Sequence, residues 1–151
     1  MKNQPKPGQI VLMASGVLML IFSFFNFYDI DLGGFGSKTA KVWSSDGGFP
    51  LSWWPVLFGV AIAVLVALTV FANISLPSDI LGFTWKQIYF ILAFTSFFIL
   101  LGFALADSSG KGIGLWLMFI ASIGLIVGAV MELLDKSTTT GPSRQGPATP
   151  F

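Results

Sequence analysis

Polar and apolar residues fall along this chain in long blocks rather than in short alternations. Four apolar blocks stand out, Ile10–Tyr28, Trp53–Phe71, Ile88–Ala106 and Ile113–Met131, each 19 residues long. The central one lies inside Gly47–Ser78, a stretch of 32 residues without a charge. Eleven of the 19 residues in Trp53–Phe71 are Val, Leu, Ile or Phe. Each such residue favours insertion, so the run gains roughly 3 to 7 kcal/mol before corrections for polar groups and ends. A helix of that length spans ~28 Å, about the hydrocarbon thickness of a bilayer. The pattern therefore predicts an all-α fold, a four-helix transmembrane bundle with spans at 10–28, 53–71, 88–106 and 113–131.

The connections support the same plan. Met1–Gly8 is short and polar, with Lys2, Lys6, Pro5 and Pro7. The first block is read as an uncleaved anchor rather than a signal peptide. It is long enough to span, and it ends in bulky Phe24-Phe25-Asn26-Phe27-Tyr28 where a peptidase needs small residues. Asp29–Ser52 is the longest loop. Its apolar Leu32, Phe35, Val42, Trp43 and Phe49 imply packing on the membrane interface or on helix ends, and a short hairpin fits its glycine punctuation. Pro55 falls in the first turn of the second span, where its missing N–H is harmless. Thr84 followed by Gln87 has the form of a helix-start capping box. Ile80, Leu81, Phe83 and Trp85, just before it, are expected at the interface rather than in water. Asp107–Gly112 is short enough to force spans three and four into an antiparallel pair. Residues 135–151, rich in Thr, Ser, Gly and Pro, read as a disordered cytoplasmic tail.

Composition sharpens the picture. Hydrophobic residues make up 54% of the 151 residues and charged residues only 10%, well below the ~25% usual for soluble domains. A soluble domain of this size has no interior large enough for the 16 phenylalanines and their apolar company. The net charge of +1 offers nothing to nucleic acid. With N- and C-termini inside, the cytoplasmic side carries Lys2, Lys6, Lys86, Lys136 and Arg144 against Lys38, Lys41 and Lys111 outside, which favours an N-in/C-in topology.

Candidate chemistry is sparse. Cysteine and histidine are absent, which removes thiolate nucleophiles, disulfides and the commonest general base and metal ligand. No Ser has a His partner, and Gly33-Gly34-Phe35-Gly36 lacks the Lys and Ser/Thr of a phosphate-binding loop. Asp29, Asp31 and Asp46 lack the spacing of a calcium loop and read as solvated acids. Phe22, Phe24, Phe25, Phe27, Phe97 and Phe98 read as lipid contacts and bundle packing rather than a ligand sandwich. No enzymatic activity, metal or cofactor is expected.

Two sets of residues remain. Gly59, Ala63 and Ala67 form a row of small residues four apart, and Gly124 and Gly128 form a GxxxG. Small residues let helix backbones approach closely in lipid. They serve either a face for a second copy or packing within one bundle, and the abundance of Gly and Ala favours the second. Trp53, Trp54, Trp85, Tyr89 and Trp116 sit at span ends, as interfacial anchors do. Glu132 is the one acid touching a span, and its place in the last turn beside Asp135 and Lys136 predicts an interfacial, solvated carboxylate. Small multidrug exporters match the chain in size but carry a Glu embedded in their first span, where this chain has only Ser15, Ser23 and Asn26.

The aromatic end of span one, the Gly- and Trp-bearing outer loop, Trp53-Trp54-Pro55, the tight Asp107–Gly112 turn, Gly114-Leu115-Trp116 and the tail from Thr140-Gly141-Pro142 resemble small four-span membrane proteins abundant in actinobacteria. That resemblance implies a bacterial cytoplasmic membrane rather than an activity. The expected role is a non-enzymatic accessory or scaffold subunit. Its expected partners are the lipid bilayer and either a second copy or a larger membrane complex. The rival expectation is a small transporter or channel subunit, which would line an interior cavity with Ser15, Ser23, Asn26, Thr69, Thr95, Ser96 or Ser122. A scaffold would instead satisfy such groups one by one on backbone carbonyls.

Overall fold

The computed structural model describes residues 4–44, 51–77, 79–106 and 110–135. Among them are four helices, α1 (Pro7–Phe22), α2 (Trp54–Phe71), α3 (Trp85–Leu105) and α4 (Ile113–Leu134), and a hairpin of β1 (Asn26–Asp31) and β2 (Ser37–Lys41). Three helices, α2, α3 and α4, are long and apolar enough to cross a membrane; α1 is apolar but shorter, at 16 residues. The helices pack in a ring, α1 against α2 and α4, and α3 against α2 and α4.

Local sequence explains most boundaries. Pro7 and Pro55 stand in the first turns of α1 and α2. At the start of α3, Gln87 Oε1 accepts from the Thr84 backbone N–H at 3.0 Å, as the capping pattern predicts. Gln9 does the same for Lys6 N–H at 3.0 Å.

The outward faces are as apolar as the inward ones. On α4 the buried Leu115, Met118, Ala121, Ser122, Leu125, Gly128 and Ala129 alternate with exposed Trp116, Ile120, Ile123, Val127 and Met131. On α2 the exposed set is Trp54, Leu57, Ala61, Val64, Leu68 and Phe71. A helix apolar all round, exposed on one side, has lipid rather than water as its compatible surroundings. The chain is in these respects a membrane protein.

The first apolar block departs from expectation. Its helix stops at Phe22, and residues 26–28 are strand. Ser23 Oγ donates back to Leu20 O at 2.6 Å, and the next two amides close i−3 turns, Phe24 N–H to Ile21 O and Phe25 N–H to Phe22 O. Such tightening ends a helix. Beyond it Asn26-Phe27-Tyr28 find a strand partner, and a bulge in the β1–β2 register between Asn26 and Tyr28 lets the adjacent Phe27 and Tyr28 both be buried. The all-α expectation is corrected to this extent, and the hairpin foreseen in 29–52 begins three residues earlier, inside the supposed span. The expectation of a disordered tail at 135–151, with Lys136 and Arg144, falls outside the described residues apart from Asp135, as do Asp46 and Asp107.

The hairpin caps one end of the bundle. Tyr28 Oη donates to Phe103 O at 3.0 Å, Trp43 Nε1 donates to Ser23 Oγ at 2.9 Å, and Ser52 Oγ donates to Val42 O at 3.2 Å. β1 also lies along the α3–α4 turn, with Asp29 N–H to Gly110 O at 2.7 Å and Gly112 N–H to Phe27 O at 3.0 Å. Only glycine fits there. Gly110 has φ +97°, and a Cβ on it would overlap Asp29 O and sit 2.8 Å from the Asp29 carbonyl carbon.

Candidate functional site

Two features could carry function, a seam of small residues around α1 and a charged cluster at the end of the bundle away from the hairpin.

The small residues converge on α1. Gly16 faces Gly59 and Ala63 of α2; a Cβ on Gly16 would overlap Gly59 O and lie 2.7 Å from Ala63 Cβ. A Cβ on Gly59 would lie 2.9 Å from Met19 Sδ, and one on Gly128 would lie 2.9 Å from Leu12 Cγ. Gly124 leaves room for the Ser15 hydroxyl. The structure thus places Gly59, Ala63, Gly124 and Gly128 at contacts within one chain. Ala67 lines a cleft of about 240 Å³ between α1 and α2, with Gly16, Val17, Leu20, Val60, Ala63 and Val64. Gly16 completes the seam, and sequence reasoning passed over it because a lone Gly in an apolar run has no four-residue partner to mark it.

The aromatic residues divide. Trp53 and Trp54 are stacked at 5.3 Å and remain part-exposed, Trp116 is half-exposed, and Trp85 Nε1 donates to Pro77 O at 2.8 Å. Tyr89 does not face outward as an anchor would; it is buried, with its ring 6.3 Å from that of Trp85. The reason is helical phase, because Tyr89 shares the buried stripe of α3 with Ala93, Ser96 and Leu100.

The charged cluster joins the start of α1, the start of α3 and the end of α4. Lys6 Nζ pairs with Asp135 Oδ2 at 2.8 Å, and Lys86 Nζ donates to Asp135 O at 2.9 Å. The expectation of a solvated Glu132 is overturned, although it lies at the bundle end among charged groups as expected. The residue is only 5% exposed, and Oε1 has no hydrogen-bond partner among the described residues. Gly8 makes this burial feasible, since a Cβ there would stand 3.2 Å from Glu132 Cγ, N and Oε1. A buried acceptor without a donor costs about 1–3 kcal/mol, against which stand the positive charges of Lys86 and Lys6 nearby. The position of Glu132 in the last turn suggested solvent, but Gly8, at the opposite end of the chain, admits it to the interior.

The hydroxyls inside the helices are satisfied locally. Ser23 donates to Leu20 O, Thr69 to Val66 O (2.8 Å), Thr95 to Ile91 O (2.8 Å), Ser96 to Leu92 O (2.9 Å) and Ser122 to Phe119 O (2.6 Å). Ser15 is buried at the Gly124 contact, and Asn26 opens β1 rather than facing a helical interior. A cleft of about 510 Å³ lies along the C-terminal half of α3 and is lined by Leu51, Thr95, Phe98, Ile99, Gly102, Phe103 and Ala106, almost wholly apolar.

The chain matches no family model, no curated protein and no solved structure.

Proposed function

We propose that the protein is a non-enzymatic accessory or scaffold subunit of a bacterial cytoplasmic membrane, working through helix packing in the bilayer. In this reading all four helices cross, with both termini in the cytoplasm and the hairpin outside. At 16 residues α1 covers ~24 Å, and a locally thinned bilayer accommodates the shortfall at modest cost. One observation carries the scaffold reading: the hydroxyls of Ser23, Thr69, Thr95, Ser96 and Ser122 are each spent on a carbonyl of their own helix or helix end. A solute path would need such groups turned toward a shared cavity.

The test is extraction of the tagged protein in mild detergent, followed by sizing and mass spectrometry. A stoichiometric membrane partner or a stable homo-oligomer supports the scaffold. A lone monomer contradicts it.

One observation favours a second reading, a small transporter or channel subunit. Glu132 is a buried carboxylate with an unpartnered oxygen, and intramembrane acids commonly serve proton or ion relays. Proton-driven flux in liposomes that Glu132→Gln abolishes would replace the first reading with this one.

A further inference from the structure

The α2–α3 connection ends in a turn whose chemistry does not suit water. Ile80 and Phe83 close it with two backbone hydrogen bonds, Ile80 N–H to Phe83 O at 3.0 Å and Phe83 N–H to Ile80 O at 2.9 Å. Both central residues have positive φ, +54° at Leu81 and +81° at Gly82, as in a type I′ turn. Gly82 suits that geometry. Leu81 does not, because the left-handed region is costly for residues other than Gly, Asn and Asp. The strained leucine is nevertheless 95% exposed at the tip. Its neighbours Ile74, Ile80 and Phe83 are exposed too, as is Phe71 at the end of α2.

We infer that this turn is a preformed hook that inserts its Leu81 tip into the interfacial layer of the bilayer, beside the helices it joins. The inference rests on the reading that α2 and α3 cross the membrane. The occupant follows from continuity. The turn links the ends of two apolar helices whose outward faces are Leu, Val, Ile and Phe, so its exposed side chains extend one lipid-compatible surface. No charge lies between Ile80 and Trp85, while Asp79 and Lys86 stand on either side at the level where headgroups and water begin. The closing pair satisfies an N–H and a C=O each on Ile80 and Phe83, which lowers the penalty for placing the base of the turn near hydrocarbon, while the interfacial layer supplies water and headgroups to the tip. Trp85 Nε1, tied to Pro77 O, fixes the base of the hook where indole rings settle at a membrane surface. The strain at Leu81 is then held for the sake of an apolar side chain at the tip.

The absence of native cysteine makes a direct test clean. Nitroxide labels are placed singly on Leu81→Cys, on Val64→Cys at the exposed middle of α2, and on Asp31→Cys in the hairpin. The full chain is reconstituted in vesicles of phosphatidylcholine and phosphatidylglycerol in equal parts, and collision with oxygen is compared with collision with a water-soluble nickel chelate. The expected result is an oxygen-to-nickel ratio at Leu81 severalfold above that at Asp31 and below that at Val64. A second pair places the label on Ile80→Cys, with or without Leu81→Asn. Asparagine accepts the left-handed backbone, so the turn persists and the probe should move toward water. A ratio at Leu81 equal to that at Asp31, with Val64 in lipid, overturns the hook and leaves the spanning helix intact. An aqueous Val64 overturns the spanning reading itself. Shielding of Leu81 from both reagents indicates a protein contact and also overturns the hook, as does an Ile80 probe unmoved by Leu81→Asn.

Discussion

A single methyl group at Gly16 probes the contact between α1 and α2. In Gly16→Ala the new carbon would stand 2.7 Å from Ala63 Cβ and overlap Gly59 O. Carbon atoms sit comfortably at ~3.5–4.0 Å, so the two helices must separate by on the order of 1 Å. Neither neighbour can turn away, since one is a backbone oxygen inside α2 and the other a methyl with no rotamer. Overpacking of this kind costs ~1–3 kcal/mol. Gly→Ala in a helix also returns ~1 kcal/mol of propensity, which obscures the comparison with the native chain. Gly102→Ala supplies the control. It lies in α3 with nothing within 4 Å of its would-be Cβ, so it gains the same propensity and meets no neighbour. The difference between the two variants isolates the steric term, ~1–3 kcal/mol. For a chain of about this length that is a melting temperature several degrees lower for Gly16→Ala. The assay is thermal unfolding in mild detergent followed by tryptophan fluorescence. Equal midpoints for the two variants would refute the Gly16–Gly59 contact. Partial recovery in Gly16→Ala with Ala63→Gly is expected, because one of the two obstructions is then gone.

Other outcomes follow from the same geometry. Gly110→Ala places a Cβ on the Asp29 carbonyl at a positive φ and should loosen the hairpin from the α3–α4 turn, read as faster hydrogen exchange at the Asp29 and Gly112 amides; unchanged exchange would contradict the docking. Ala63→Asp puts an acid at the middle of α2, at ~2.5–3.5 kcal/mol on the insertion scale, and should prevent stable accumulation in membranes; native levels would argue against that span. Glu132→Gln removes the charge while keeping the shape of a side chain whose Oε1 has no partner, so the melting temperature should rise by a few degrees; a fall would mean that the carboxylate serves an attraction that outweighs its burial.

The parts of the fold that were legible in the sequence are those where polarity changes sharply. The starts of α2, α3 and α4 follow from Pro55, from Thr84 with Gln87, and from the glycines around residue 112, each with a local mechanism, while α4 runs on to Leu134, past the Met131 at which the apolar block ends. The end of α1 was not legible. In a membrane segment both faces are apolar, so the period that separates helix from strand disappears, and Ile10–Tyr28 reads the same whether residues 26–28 continue a helix or begin β1. The row at Gly59, Ala63 and Ala67 and the GxxxG at 124–128 were visible, but their partner on α1 was not, since Gly16 meets Gly59 only once the chain has doubled back. The burial of Glu132 was not legible for the same reason, because its surroundings come from Gly8 and from the charges of Lys6 and Lys86, all remote in sequence.

Thiol labelling in intact cells distinguishes the proposed four crossings of the bilayer from any smaller number. Single cysteines replace Gln4, Lys38, Asp79 and Ile120, and a membrane-impermeant maleimide is applied before and after permeabilisation. Four crossings with both termini inside should give labelling of Lys38→Cys from outside, of Gln4→Cys and Asp79→Cys only after permeabilisation, and of Ile120→Cys only in detergent. Gln4→Cys and Lys38→Cys reacting on the same side would show that α1 does not cross. Labelling of Ile120→Cys in undisturbed membranes would contradict the account as a whole.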